Sequence, residues 1–205
     1  MGELMLRSVV VVATTSVVAV ACAPGQGPAQ GGRAASPEVP WTTLLDGNSL
    51  AAWTTTGDAN WQVSDGAIAA DAGAGFLVTH ESYGDFELEV EFFVSPDANS
   101  GVFLRCANPA TPGAATCYEV NIFDQRPDPS YRTGGIVGIA KPSVRIDAGN
   151  RWNTYHIEAR GRHLVVKLDG QTTVDVQDDK LATGPISLQY AAGQVKFRSV
   201  KIRKL

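Results

Sequence analysis

The residues best placed to do chemistry lie in the stretch Tyr118-Glu119-Val120-Asn121-Ile122-Phe123-Asp124-Gln125-Arg126. A period of two sets Glu119 and Asn121 on one face of a strand and Val120 and Ile122 on the other. A carboxylate and an amide at mid-strand, opposite an apolar face, suit a ligand groove. The same pattern also describes a solvated face that keeps a protein soluble. Asp124 falls on the apolar parity, which predicts that the strand ends or bulges near Phe123. Asn99-Ser100-Gly101 reads as a turn entering a strand that finishes at Arg105. The planar fork of Arg105 could hold a hydroxyl or keto oxygen, or pair with a glutamate from Glu87 to Glu91. Trp152 and Asn153 precede a strand, and Gln189 lies mid-strand with Ser187. Aromatic rings stack on sugar faces and amides both donate and accept, so these types suit carbohydrate, although Trp152 would serve equally in a core. His80, His156 and His163 are scattered and form neither a catalytic triad nor a histidine metal set. There is no phosphate loop, nucleotide fingerprint or zinc motif.

Strands must position these residues. The clearest covers 85–94, where Phe86, Leu88, Val90, Phe92 and Val94 alternate with Glu87, Glu89, Glu91 and Phe93. Further strands are predicted over 61–63, 67–70, 75–79, 101–106, 118–123, 135–140, 154–160, 163–168, 171–176, 184–190 and 195–202. Asp65-Gly66 and Asp169-Gly170 mark tight hairpin turns, because both residue types tolerate positive φ. No long run has helical periodicity, and no repeat suggests a propeller or solenoid. About a dozen short strands imply an all-β fold of two packed antiparallel sheets, since one sheet could not cover its own apolar face.

The chain outside this region reads as targeting. A short apolar run over 9–21 follows Arg7 and ends in Ala19-Val20-Ala21-Cys22. That layout predicts a secretory signal over 1–22 and a lipobox whose Cys22 is lipidated. Residues 23–40 are rich in Gly and Pro with little that could pack, and are expected to be a linker to one domain over 41–205. The expected location is therefore extracytoplasmic, held to the cell membrane only by the lipid on Cys22. An exported chain meets oxidising conditions, so Cys106 and Cys117, which flank a polar loop, are predicted to form a disulfide. That bridge sets Cys106 on the face of Glu119 and leaves Arg105 on the other side, in conflict with a shared site. A net charge of -4 without a basic cluster argues against nucleic acid as a partner.

An ordered series of motifs then carries a resemblance: Trp41-Thr-Thr-Leu-Leu-Asp-Gly-Asn-Ser-Leu-Ala-Ala-Trp53, Tyr83-Gly-Asp-Phe-Glu-Leu88, Asn99-Ser-Gly-Val-Phe-Leu-Arg105, Tyr118-Glu119, Arg132-Thr-Gly-Gly135, Trp152-Asn153, Gly184-Pro-Ile-Ser-Leu-Gln189 and Phe197-Arg198. Together they resemble the 3-keto-disaccharide hydrolase domain. The resemblance implies a concanavalin A-like jelly-roll sandwich with a carbohydrate site on one sheet. The chain departs from the family pattern in two places, with Arg198-Ser199 in place of Arg-Asn and Tyr190-Ala191-Ala192 where relatives carry a histidine.

Two functions follow as expectations. The first is a hydrolase acting on 3-keto-disaccharides or 3-keto-glycosides by elimination and hydration. The C3 ketone acidifies the C2 hydrogen, so a base can remove it, the glycosidic oxygen can leave, and water can then add. Glu119 or Asp124 would be the base or would ligate a divalent cation, with Arg105 near the oxyanion and Asn99, Asn121, Trp152 and Gln189 holding substrate. The second is a non-catalytic, lectin-like carbohydrate-binding lipoprotein, favoured by the missing histidine.

Overall fold

The computed structural model describes residues 1–2, 8–13 and 39–205. Cys22 and most of the expected signal and linker lie outside the described residues. The chain divides into two units, residues 1–37 and 38–205. In the first, residues 8–13 carry no regular secondary structure. Among the described residues no helix is long and apolar enough to cross a membrane.

The second unit is built from β1 (Thr42–Leu45), β2 (Trp53–Gly57), β3 (Gln62–Ser64), β4 (Ala67–Ala70), β5 (Gly75–Thr79), β6 (Phe86–Val94), β7 (Asn99–Leu104), β8 (Tyr118–Ile122), β9 (Arg151–Arg160), β10 (His163–Leu168), β11 (Gln171–Gln177), β12 (Ser187–Ala192) and β13 (Val195–Lys204), with a single 3-10 turn at Pro129–Tyr131. An eight-stranded sheet runs β11-β10-β9-β6-β13-β4-β3 with β1 added on β13, and a five-stranded sheet runs β2-β5-β12-β7-β8. All their ladders are antiparallel. This is the two-sheet sandwich that the alternation predicts.

The period of two decides what each sheet buries. On β6, Phe86, Leu88, Val90 and Phe92 are wholly buried. The intervening Glu87, Glu89 and Glu91 pair with Arg203, Lys201 and Arg198 of β13 on the outer face. In the smaller sheet Leu77, Leu188, Val102 and Val120 stand side by side across four strands. They meet the β6 residues in one core. At the hairpins, Asp65 and Gly66 have φ of 52° and 69°, and Asp169 and Gly170 have 50° and 80°. Two successive positive values match a two-residue loop to strand twist.

Three local expectations are corrected. β1 and β2 were not predicted from sequence, because Thr42-Thr43 and Thr54-Thr55-Thr56 carry no apolar alternation. β7 already begins at Asn99, so Asn99-Ser100-Gly101 is ladder and not turn. Residues 135–140 are not a strand. Gly134 and Gly138 have φ of 87° and 74°, which folds the segment into turns where Ile136 bridges both Val120 and Ala140.

Candidate functional site

The outer face of the five-stranded sheet carries the predicted polar residues. Cross-strand pairing aligns Gln189 of β12 with Gly101 of β7, and Gly101 with Asn121 of β8. Glu119 lies two residues from Asn121 on the same face, opposite Phe103. Asn99 shares the parity of Gly101 at the start of β7. Gly101 stands between two amides and beside a carboxylate, buried under the Phe103 ring. A Cβ there would sit 3.1 Å from the Phe103 ring and 3.5 Å from Glu119 Cγ. The missing side chain lets the Phe103 ring lie close against the backbone of β7.

The polar atoms around Gly101 are unusual in what they lack. Asn121 is wholly buried. Its Nδ2 donates to the carbonyl of Tyr131, which turns Oδ1 the other way, and that oxygen has no partner. Gln189 Oε1 is likewise buried without a partner. Buried oxygens are normally hydrogen-bonded, and leaving one unmet costs about 1–3 kcal/mol. Glu119 is half-buried, and burial pushes its carboxyl above the usual carboxylate range while Arg126 draws it back down. Arg126 Nε is itself buried without a partner. The face thus offers a carboxylate with raised proton affinity and a nearby cation, above two buried amide oxygens that have no partner. That is a set suited to a neutral, hydroxyl-bearing ligand and to removal of an activated proton.

The loop after β8 holds Asn121 in place. Its backbone N–H donates to Gly135 O at 2.9 Å, and its carbonyl accepts from Gly134 N at 3.0 Å. The Tyr155 hydroxyl donates to the same carbonyl at 2.6 Å and accepts from Gly134 N at 2.9 Å. Desolvation raises this phenol's pKa far above its ordinary value. It is therefore neutral and acts as a fixed strut.

Three predicted site residues lie elsewhere. Asp124 follows the end of β8 at Ile122, as its parity required. Its Oδ1 accepts from the Thr133 hydroxyl at 2.6 Å, and its Oδ2 accepts from Ala148 N at 2.8 Å and Gly149 N at 2.9 Å. A carboxylate so engaged is a brace for the 132–149 loop and not a free base. Arg105 is wholly buried on the far side of its strand from Glu119. A φ of 52° breaks the alternation at Arg105, so Cys106 returns to the outer face while the guanidinium reaches inward. There it donates to the carbonyls of Gly84, Gly161 and Leu181 at 2.9, 2.7 and 3.1 Å and pairs with Asp85 at 3.1 Å. Burial lowers its pKa from the usual value, and Asp85 opposes that. The cation near Glu119 is Arg126. Trp152 stands on the other sheet, beside Phe93, with the Arg198 guanidinium 4.4 Å over its ring.

The predicted disulfide joins Cys106 and Cys117. Their sulfurs pack with Phe103 and Phe76 in a small cluster separate from the main core. Among the described residues no three His, Cys, Asp or Glu side chains gather to hold a metal ion. Both oxygens of Asp124 already accept hydrogen bonds from the scaffold, so a divalent cation at Asp124 would have to compete with them.

Gly101 and Arg126 were not singled out for the site from sequence. Each lies in a quoted motif, but only the register between strands shows what stands beside it.

An antiparallel sandwich with polar side chains on the outer face of its smaller sheet defines a lectin-like, concanavalin A-type fold, and solved structures agree. The chain is similar to two candidate glycosyl hydrolases from Parabacteroides distasonis. One matches at TM-score 0.72 and 20% identity, covering 80% of this chain and 94% of that one. The other matches at TM-score 0.67 and 23% identity, covering 81% and 100%. It is also similar to the carbohydrate-binding module CBM66 from Bacillus subtilis, at TM-score 0.58 and 17% identity over 82% and 98% of the two chains. Among curated proteins none matches in sequence. The family model for the 3-keto-alpha-glucoside-1,2-lyase-like domain matches residues 40–203, and the chain belongs to that family.

Proposed function

We propose that the domain cleaves 3-keto-glycosides by elimination followed by hydration, with Glu119 as the base. The observation that carries this reading is the half-buried Glu119 carboxyl, of raised proton affinity, on the same face as the unmet oxygens of Asn121 and Gln189. Glu119 takes the C2 proton, whose acidity comes from the C3 ketone. The electron pair forms the C1–C2 double bond as the C1–O bond breaks, and the glycosidic oxygen leaves with a proton as the free alcohol. Water then adds its oxygen to C1 and a proton to C2. Negative charge develops on the C3 oxygen during the first step, and Arg126 is the cation near Glu119 that can meet it. Gln189, partly exposed on the same face, is the amide that a ring hydroxyl can approach.

A test is turnover of 3-keto-trehalose by the purified domain, with and without EDTA. Wild type is expected to release 3-keto-glucose under both conditions and Glu119→Gln to do so under neither. Equal turnover by both proteins would remove Glu119 from the mechanism.

A second reading is a carbohydrate-binding module without catalysis. It is supported by the commitment of Asp124 and Arg105 to the scaffold, which leaves Glu119 without a second carboxylate. Sugar binding that survives in Glu119→Gln, with no turnover by wild type, would favour it.

The disulfide and the apolar run after Arg7 support a location outside the cytoplasmic membrane with Cys22 lipidated. Labelled palmitate should enter the wild type in its host and not Cys22→Ala.

A further inference from the structure

An open sheet has two edges, and the unpaired main-chain groups along an edge invite another strand. Most edges of this sandwich are blunted. Along β8, Val137 N donates to Glu119 O at 3.0 Å and Asn121 N donates to Gly135 O at 2.9 Å. On β11, Thr173 O accepts from Ser143 N at 2.7 Å, Asp175 adds a charge, and the pairing with β10 contains a register shift. β1 pairs with a shift of its own, and β3 is only three residues long. β2 has none of these devices. Its sequence Trp53-Thr54-Thr55-Thr56-Gly57 carries no charge and no proline, and it runs beside β5 without a shift.

The phase of the ladder shows which groups of β2 are free. Thr79 N donates to Ile186 O, away from β2, so antiparallel alternation turns the main-chain groups of Val78 and Phe76 toward β2. Their partners Thr54 and Thr56 therefore spend their own groups on β5. Thr55 and Gly57 point N–H and C=O outward, together with the carbonyl of Trp53, whose N–H is taken by Leu50 O at 2.9 Å. Among the described residues none of these outward groups has a partner. The strand is also open on its outer face, where Thr54 and Thr56 line a hollow of about 480 Å³.

We infer that β2 pairs with β2 of a second copy of this chain, antiparallel about a two-fold axis at Thr55. In that register the strand is complementary to itself. Thr55 faces Thr55 of the partner subunit, and the two exchange both main-chain hydrogen bonds. Gly57 N donates to the carbonyl of Trp53 of the partner subunit, and each Thr54 lies against Thr56 of the partner subunit. Threonine pairs of this kind stabilise a ladder. The carboxylate that follows the strand, Asp58, falls opposite Ala52 of the partner subunit, so no like charges meet. Because the same patch serves both copies, the contact closes on itself and gives a dimer, not a fibre. The two smaller sheets become one continuous sheet. Its axis stands perpendicular to the sheet, so both Glu119 faces turn to the same side, roughly 40 Å apart at the spacing of paired strands.

A ladder of five residues is short beside the interfaces of about 1,200 Å² or more in stable complexes, so the dimer is expected to form at about 10–100 µM and to dissociate below about 1 µM. Sedimentation velocity reads this on the full chain carrying Cys22→Ser, which removes the thiol proposed to be lipidated. Thr55→Lys sets two like charges against each other at the axis. Thr55→Pro removes an outward N–H that β5 does not use. Each should weaken the dimer roughly tenfold or more, with Tm within about 2 °C of the parent. Should Thr55→Pro lower Tm further, Thr55→Lys decides. Cross-linking reads the register: oxidising a mixture of Thr54→Cys and Thr56→Cys proteins should yield disulfide-linked dimers, and either protein alone should yield few. A parent that stays monomeric at every concentration, or a dimer that Thr55→Lys leaves intact, would overturn the inference. Cross-links as abundant in the single proteins as in the mixture would place another segment opposite β2 and overturn it as well.

Discussion

Arg105→Met separates a scaffold role from a catalytic one. The guanidinium meets three main-chain carbonyls and one carboxylate from the 84–85, 161 and 181 segments. Methionine of similar length removes all of these donors and leaves the carbonyls to find water. An unmet acceptor costs about 1–3 kcal/mol. Because these segments lie near the surface and some water can enter, the total is expected at about 3–5 kcal/mol. For a domain of this size each kcal/mol lowers Tm by about 2–4 °C, so the fall should be roughly 6–20 °C. Differential scanning calorimetry reads this directly, and the kcat of the folded fraction at low temperature should match wild type. A variant with wild-type Tm and no activity would refute the reasoning and return Arg105 to the site.

Other outcomes follow from the same geometry. Glu119→Gln should be more stable than wild type at neutral pH, by on the order of 1 kcal/mol or less because the group is partly screened. Its native carboxyl titrates above the usual range, so wild type loses stability as pH rises through the native value. Thermal melts should show the gain vanish at a pH below the ordinary carboxylate range; a gain that grows on acidification would contradict the burial argument. Replacing Cys106 and Cys117 together by serine opens a loop with a sequence separation of 11, which should cost about 3 kcal/mol in chemical denaturation. Trp152→Ala should leave sugar binding unchanged by titration calorimetry, because the ring lies on the other sheet, and should cost under about 1 kcal/mol through loss of its contact with Arg198.

The sandwich was legible because burial on one face of a strand writes itself as a period of two. Residues 86–94 show it in full, with every second residue buried. β1 and β2 were not legible, because their threonines alternate nothing. Within the site, the shared face of Glu119 and Asn121 could be read from a single strand. That Gln189 stands opposite Gly101 could not, since pairing across a long stretch of chain is set by the whole sheet. Arg105 was misplaced by a local conformation, a positive φ at a non-glycine residue, that no alternation rule contains. The disulfide nevertheless indicated it, because Cys106 and Arg105 cannot share one face of a regular strand. Trp152 was misplaced because residue type alone does not say which of two sheets a strand joins.

The most direct test of the account is proton exchange at C2. In D2O, a 3-keto-glycoside incubated with wild-type protein should lose its C2–H resonance faster than without protein, and with Glu119→Gln it should lose it only at the rate without protein. Loss of that resonance at equal rates with wild type and Glu119→Gln would show that the proton goes to another group and that the outer face of the five-stranded sheet is not where the chemistry occurs.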